Sequence, residues 1–153
     1  VIHGQNAKVG ALIVPQSLAS NSTASGYIDC RDWDYLEVDL VLGTVAATTS
    51  ITKSIALSES DTTAFVATDV MTAFVGSAAT SATVGFVWPT VAVTAGSQII
   101  RMGVDLRDRK RYIELYWGSP AVAQLVGATG RLSRGAVSPN TASEAGAVKL
   151  ILG

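Results

Sequence analysis

The sequence predicts an all-β fold of antiparallel strands, and three observations carry that expectation. Apolar and polar residues alternate strictly in several short segments, the stretches between them are dense in turn formers, and no long apolar pattern at helical spacing separates them. A period of two places successive side chains on opposite faces of a sheet, one buried and one wetted. A parallel sheet would need helices between its strands, so a parallel α/β fold is disfavoured.

Along the chain, the first strand candidate is the apolar Lys8 to Val14, ended by Pro15. A polar stretch, Ser17 to Ser25, leads to Gly26 to Cys30. Tyr35 to Leu42 is the clearest alternation: Leu36, Val38, Leu40 and Leu42 point one way, Glu37 and Asp39 the other. Gly43 to Ser50 reads as a turn region, followed by strand candidates at Ile51 to Glu59 and Ala64 to Thr68. Asp69 as a cap, with Val70, Phe74 and Val75 at helical spacing, permits a helix over Thr68 to Phe74, but Thr72 and Gly76 favour a short turn. Gly76 to Thr83 reads as a turn region and Val84 to Trp88 as a strand. Alternation returns at Ile100, Met102, Val104 and Leu106, and again at Ile113, Leu115 and Trp117. Val122 to Val126 and Val148 to Leu152 complete about ten strands.

One domain is expected over 1–153, with an N-terminal arm over about 1–20 and a long loop over about 127–146 before the C-terminal strand. Apolar residues make up 48% and charged residues 15%, fewer than the roughly one-quarter usual in soluble domains, so the surface is weakly charged and suited to packing on partners. The formal charge of -1 supplies no global field for nucleic acid. The uncharged run from Val70 to Ile100 is broken by Ser, Thr, Gly and Pro89 and does not read as a membrane span. No signal-peptide layout follows Lys8, and the chain reads as a cytoplasmic product.

Residues able to carry chemistry are few. His3 is the single histidine and sits near the N-terminus, where a rigidly held base is not expected. Cys30 is the single cysteine, so an internal disulfide is excluded and a reduced thiol is expected over an intermolecular bridge. Asp29, Asp32 and Asp34 offer oxygens to a calcium ion, but without the spacing of a known loop, and a turn with Arg31 offsetting the charge explains them better. Glu59 and Asp61 lie too close in sequence to flank a sugar as acid and base. Glu37, Asp39 and Glu114 read as carboxylates on solvated strand faces. Four of the five residues Arg107-Asp108-Arg109-Lys110-Arg111 are basic. A charged hairpin tip is the plain reading, and a salt-sensitive docking contact on an acidic protein surface the alternative. Gly127-Ala128-Thr129-Gly130 lacks the ending of a phosphate loop. Trp33, Trp88 and Trp117 are expected in the core. No cofactor, metal or catalytic residue is expected.

The stretch Ile55-Ala56-Leu57-Ser58-Glu59-Ser60-Asp61-Thr62-Thr63-Ala64-Phe65, with the later Asp105-Leu106-Arg107-Asp108-Arg109-Lys110-Arg111-Tyr112-Ile113-Glu114-Leu115, resembles a pattern in head decoration (cement) proteins of tailed bacteriophages. There a strand ending in L-x-E-S-D pairs with a later strand introduced by R-K-R-Y. The resemblance covers roughly the central half of the chain; Gly76 to Thr83 and the segment after Val126 depart from it. It implies an antiparallel β-sandwich of jelly-roll type that binds the major capsid protein on the virion surface, commonly as a homotrimer, without catalysis. On that reading Val9, Leu12 and Ile13 of the arm, with Arg107, Arg109, Lys110 and Arg111, are candidate capsid or subunit contacts. Removal of Val1 to Val14 should then leave a folded domain that no longer attaches. Two other readings stay open: a carbohydrate- or receptor-binding module of a phage tail or fibre, and a glycosidase in which Glu59, Asp61 or the Asp29 cluster meets another carboxylate in a cleft.

Overall fold

Ten strands, antiparallel in every pairing, make up the regular structure of the computed structural model, which describes residues 6–44, 54–66, 69–71, 73–74, 77–81, 85–87, 97–119, 121–136 and 143–148. In chain order they are β1 (Ala7–Leu18), β2 (Thr23–Asp29), β3 (Trp33–Leu42), β4 (Ser54–Ser60), β5 (Ala73–Phe74), β6 (Ser77–Ser81), β7 (Gly85–Val87), β8 (Gln98–Asp105), β9 (Tyr112–Gly118) and β10 (Gln124–Gly135). A four-stranded sheet has the order β1-β10-β3-β8, and a six-stranded sheet β2-β9-β4-β7-β6-β5. The chain crosses between the sheets at six of its nine connections and stays in the six-stranded sheet only from β4 to β7, which is the jelly-roll arrangement of a double-sheet sandwich.

The alternating segments form the core as their period requires. Leu36, Val38, Leu40 and Leu42 of β3 are fully buried, flanked by Leu132, Ala128 and Val126 of β10 and by Val104 and Ile100 of β8. The opposite layer presents Ile113, Leu115 and Trp117 of β9 beside Ile55 and Leu57 of β4. Burying each such side chain stabilises the fold by about 1.5–3 kcal/mol, so these two rows hold the sheets together. Trp33 is only partly buried at the rim of this core, whereas Trp117 lies inside it. Trp88 lies outside the described residues.

Several expectations are corrected. The long loop over 127–146 begins inside β10, a central strand that runs through Gly127 and Gly130 to Gly135. These glycines make room rather than turns. A Cβ at Gly130 would press on Leu12, Ile28 and Leu36, and one at Gly127 on Pro15. The N-terminal arm is in large part β1, paired along its length with β10, and Leu12 and Ile13 are buried in the core. Removing residues up to Val14 would strip out most of a sheet strand, so the truncated chain would not keep its fold. Residues 64–66 form no strand; Ser60 and Thr62 hydroxyls donate to the Ala64 carbonyl in a side-chain-stabilised turn. Ser77–Ser81 is a strand where a turn region was expected. Among the described residues no α-helix runs on from Asp69: its N–H closes a tight turn onto the Val66 carbonyl at 2.9 Å, its carboxylate accepts from the Val66 N–H, and Val70 bridges to Ser58. The expected C-terminal strand lies outside the described residues except for Val148, which is exposed.

Candidate interaction surface

The basic run is not a hairpin tip, because β8 and β9, which it joins, belong to different sheets. It closes one end of the sandwich. The Leu106 N–H donates to the Asp34 carbonyl at 2.9 Å, continuing the β3–β8 ladder, and the Cys30 N–H donates to the Arg111 carbonyl at 2.8 Å. Each of its four cations meets a different carboxylate, three of them on strands and one, Asp69, between β4 and β5. Arg111 grips Asp29 at the end of β2 through two nitrogens, at 2.6 and 3.0 Å. Arg109 reaches Glu59 on β4 at 3.4 Å, and the Lys110 N–H donates to the same carboxylate at 3.3 Å. The Lys110 ammonium lies 3.6 Å from Asp69. Arg107 pairs with Asp105, the last residue of β8. The Arg111 guanidinium also sits 4.7 Å from the Tyr112 ring centroid.

The run and the L-x-E-S-D turn therefore meet as neighbours, since β4 and β9 pair from Ile55↔Trp117 to Ser60↔Tyr112. Their shared role in this fold is to tie the two strands and the connection between the sheets. Isolated exposed pairs contribute about 0–1 kcal/mol each, so the clasp matters chiefly by setting geometry.

Beside the clasp is an open cleft of about 510 Å³, lined by Cys30 to Asp34, by the basic run and by Arg134 to Ala136. Arg31 and Arg134 form no ion pair with any described residue, but Asp32 and Asp34 stand in the same lining, so its charge is mixed. Asp32 and Arg134 both have left-handed backbone, at φ 68° and 57°. The Asp32 carbonyl accepts from the Ala136 N–H at 3.0 Å, which fixes the rim. Burial, reinforced by the Asp29 charge, pushes the Cys30 thiol up to about 12, so it is held protonated at neutral pH. Among the described residues no three His, Cys, Asp or Glu side chains group to hold a metal ion. Asp29 is committed to Arg111, Glu59 to Arg109, and Asp61 lies on an exposed turn.

The carboxylates titrate in two directions. Hydrogen bonds from Arg111, Arg101 and Arg107 hold Asp29, Asp39 and Asp105 below the ordinary value, Asp105 at about 2. The unfolded state therefore binds more protons just below the unfolded value of about 3.9, and stability is lost as pH falls through the folded values toward about 2. Glu114 has the opposite sign: burial raises its carboxyl and the Asp69 charge adds to this, against a hydrogen bond from Ser25. Its contribution improves as pH falls from neutral toward the unfolded value of about 4.3. The urea midpoint is expected to rise slightly from about pH 7 to 5 and to drop below about pH 4, with Glu114→Gln removing the rise. A midpoint that declines steadily between pH 7 and 5 would contradict this assignment.

The outer face of the four-stranded sheet divides in two. Toward the start of β3 it carries Glu37 and Asp39, the latter gripped by Arg101 at 2.7 and 2.9 Å. Toward the end of β3 it turns apolar: Ile99, Leu125 and Val41 are 67%, 61% and 43% exposed. Val41 pairs directly with Ile99 on one side and Gly127, covered by Pro15, on the other, and Leu125 lies against Gly43, two residues along the same face from Gly127, so Val41, Ile99 and Leu125 are neighbours on one face. Of the residues expected to make contacts, Val9 is exposed on this face opposite Arg131, whereas Leu12 and Ile13 point into the core. The apolar patch escaped the sequence reading, although its signal was present. Leu40-Val41-Leu42, Ile99-Ile100 and Leu125-Val126 each place an apolar residue where alternation calls for a polar one.

The fold and surface thus define an all-β jelly-roll sandwich with one partly apolar outer face. No protein-family model matches the chain, and no curated protein matches it. Among solved structures it is similar to a chain from work describing Bacillus endospore appendages as a novel family of disulfide-linked pili. The identity is 14% and the TM-score 0.31, over 87% of this chain and 94% of that one. A likeness of that size carries no functional inference.

Proposed function

We propose that this chain is a structural adhesion protein that binds the outer surface of a tailed-phage capsid and stabilises it by bridging neighbouring capsid subunits. The observation that carries the reading is the contiguous exposed patch of Val41, Ile99 and Leu125 on a sheet face. Burying exposed apolar side chains on a partner is favourable at roughly 25 cal/mol per Å², and clustering them marks a contact surface. The low charge of the chain and the resemblance of its β4 and β9 segments to cement proteins support the same reading. The basic run is largely consumed by internal pairs, which moves the expected contact from Arg107, Arg109, Lys110 and Arg111 to the sheet face. Such a protein resides on the virion, contacts the major capsid protein and makes or breaks no covalent bond.

The test is co-sedimentation with empty capsids assembled from the major capsid protein co-expressed with this chain. The native protein is expected to coat them, and a Val41→Thr, Ile99→Thr, Leu125→Thr variant to lose attachment while its unfolding free energy in urea stays within about 1 kcal/mol of the native value. Bare capsids with the native protein, or full occupancy by the variant, would sink the proposal. Binding to cells or glycans instead would favour a tail or fibre recognition module, with the Trp33 cleft as its site.

A further inference from the structure

Every open sheet exposes edge strands, and natural proteins guard them against pairing with other chains. Among the described residues this molecule guards three of its four edges. β1 is bent by two register shifts, carries Pro15 and has its Val9 N–H occupied by the Ala145 carbonyl at 2.8 Å. β2 is crossed so closely by β1 that a Cβ on Gly26 would overlap the Leu12 carbonyl oxygen. β5 is only two residues long. β8 differs: it runs for eight residues without proline, pairs with β3 without a register shift, and has no described strand on its other side.

We propose that two copies of this chain pair antiparallel through β8, joining their four-stranded sheets into one across a twofold axis centred on Gly103. The backbone sets which groups are available. The Leu106 N–H points to β3, so alternation along the unshifted ladder turns the amides and carbonyls of Ile99, Arg101, Gly103 and Asp105 to the free edge. Charge then selects the register. With Gly103 opposite Gly103 of the second copy, Arg101, already joined to Asp39, faces Asp105, already joined to Arg107, on both sides of the axis, whereas slipping by two residues sets Arg101 opposite Arg107 in one direction and opposite Gly103 in the other, and either slip loses both opposite-charge pairs. Directly opposed opposite charges favour a pairing and like charges oppose it. Gly103 leaves the axis clear of a side chain, and the Tyr35 hydroxyl lies over it. A twofold contact of this kind is self-complementary and closes on itself.

The interface is small, so the dimer is expected to be weak, with a Kd on the order of 10 µM. This pairing rests on the β8 edge and not on what the outer face binds, so its test and the capsid assay fail separately. Sedimentation velocity across a concentration series is expected to show a monomer–dimer equilibrium. Asp105→Lys should raise Kd about tenfold or more, and adding Arg101→Glu should restore it to within about threefold. In the native protein, hydrogen exchange at the amides of 99, 101, 103 and 105 should slow as concentration passes Kd, a readout needing no variant. A monomer up to about 1 mM, a trimer, a dimer indifferent to Asp105→Lys, or concentration-independent exchange at those amides would each overturn the proposal.

Discussion

Gly26→Ala is expected to unfold the domain or to cost about 3 kcal/mol or more, a large share of the 5–15 kcal/mol typical of a domain. Gly26 lies on β2 opposite Leu115, and its other side faces the backbone of β1. A Cβ there would overlap the Leu12 carbonyl oxygen, which is backbone and cannot swing aside as a side-chain tip can. β1 in turn is pinned to β10 on both sides of this point, at Ala11↔Thr129 and Ile13↔Ala128, so relief would require pulling the two sheets apart where the chain joins them. Gly10→Ala is the control. Its Cβ would meet the Ile28 Cδ1 at 3.0 Å, the far end of a flexible side chain, and a change within about 1 kcal/mol is expected. Urea denaturation of the two variants decides the matter: equal midpoints would show that the close approach at Gly26 does not constrain the fold.

The second large effect is at Trp117, which is fully buried between the sheets beside Ala24 of β2 and Ile55 of β4. Trp117→Ala is expected to destabilise by about 3–5 kcal/mol, because the lost transfer energy is joined by the cost of a cavity. The indole contains an internal compensation, however. Its Nε1 is buried without a hydrogen-bond partner, as is the Oε1 of Gln124. An unmade buried N–H forfeits about 1–3 kcal/mol, so removing it recovers part of what a smaller ring loses. Trp117→Phe is therefore expected to cost no more than about 1–2 kcal/mol. If the Phe variant were as unstable as the Ala variant, the Nε1 would have to be satisfied in solution, for instance by an ordered water.

Much of this architecture was legible along the chain. The faces of β3, β8 and β9 follow from alternation, and the residues it turned inward, from Leu36 through Trp117, are the ones the structure buries, with Met102 only partly so. The candidate surface was less legible, because a lone outward Val41, Ile99 or Leu125 means little until pairing sets the three side by side. The basic run illustrates the same limit from the other direction. Arg109 and Arg111 look like free cations in sequence, and only the return of Glu59 and Asp29 to the same end of the sandwich neutralises them.

Alternation along the chain is enough for the class of fold and the inner face of the strongest strands, because side-chain direction in an extended chain is a local property with a fixed period. Tertiary structure decided which strands share a sheet, why Gly127 and Gly130 belong in a strand instead of a loop, and which charges and apolar side chains remain for a partner. Those outcomes depend on contacts between residues far apart in the chain, where the room beside a glycine or the partner of an arginine is set by a neighbour that local pattern does not name.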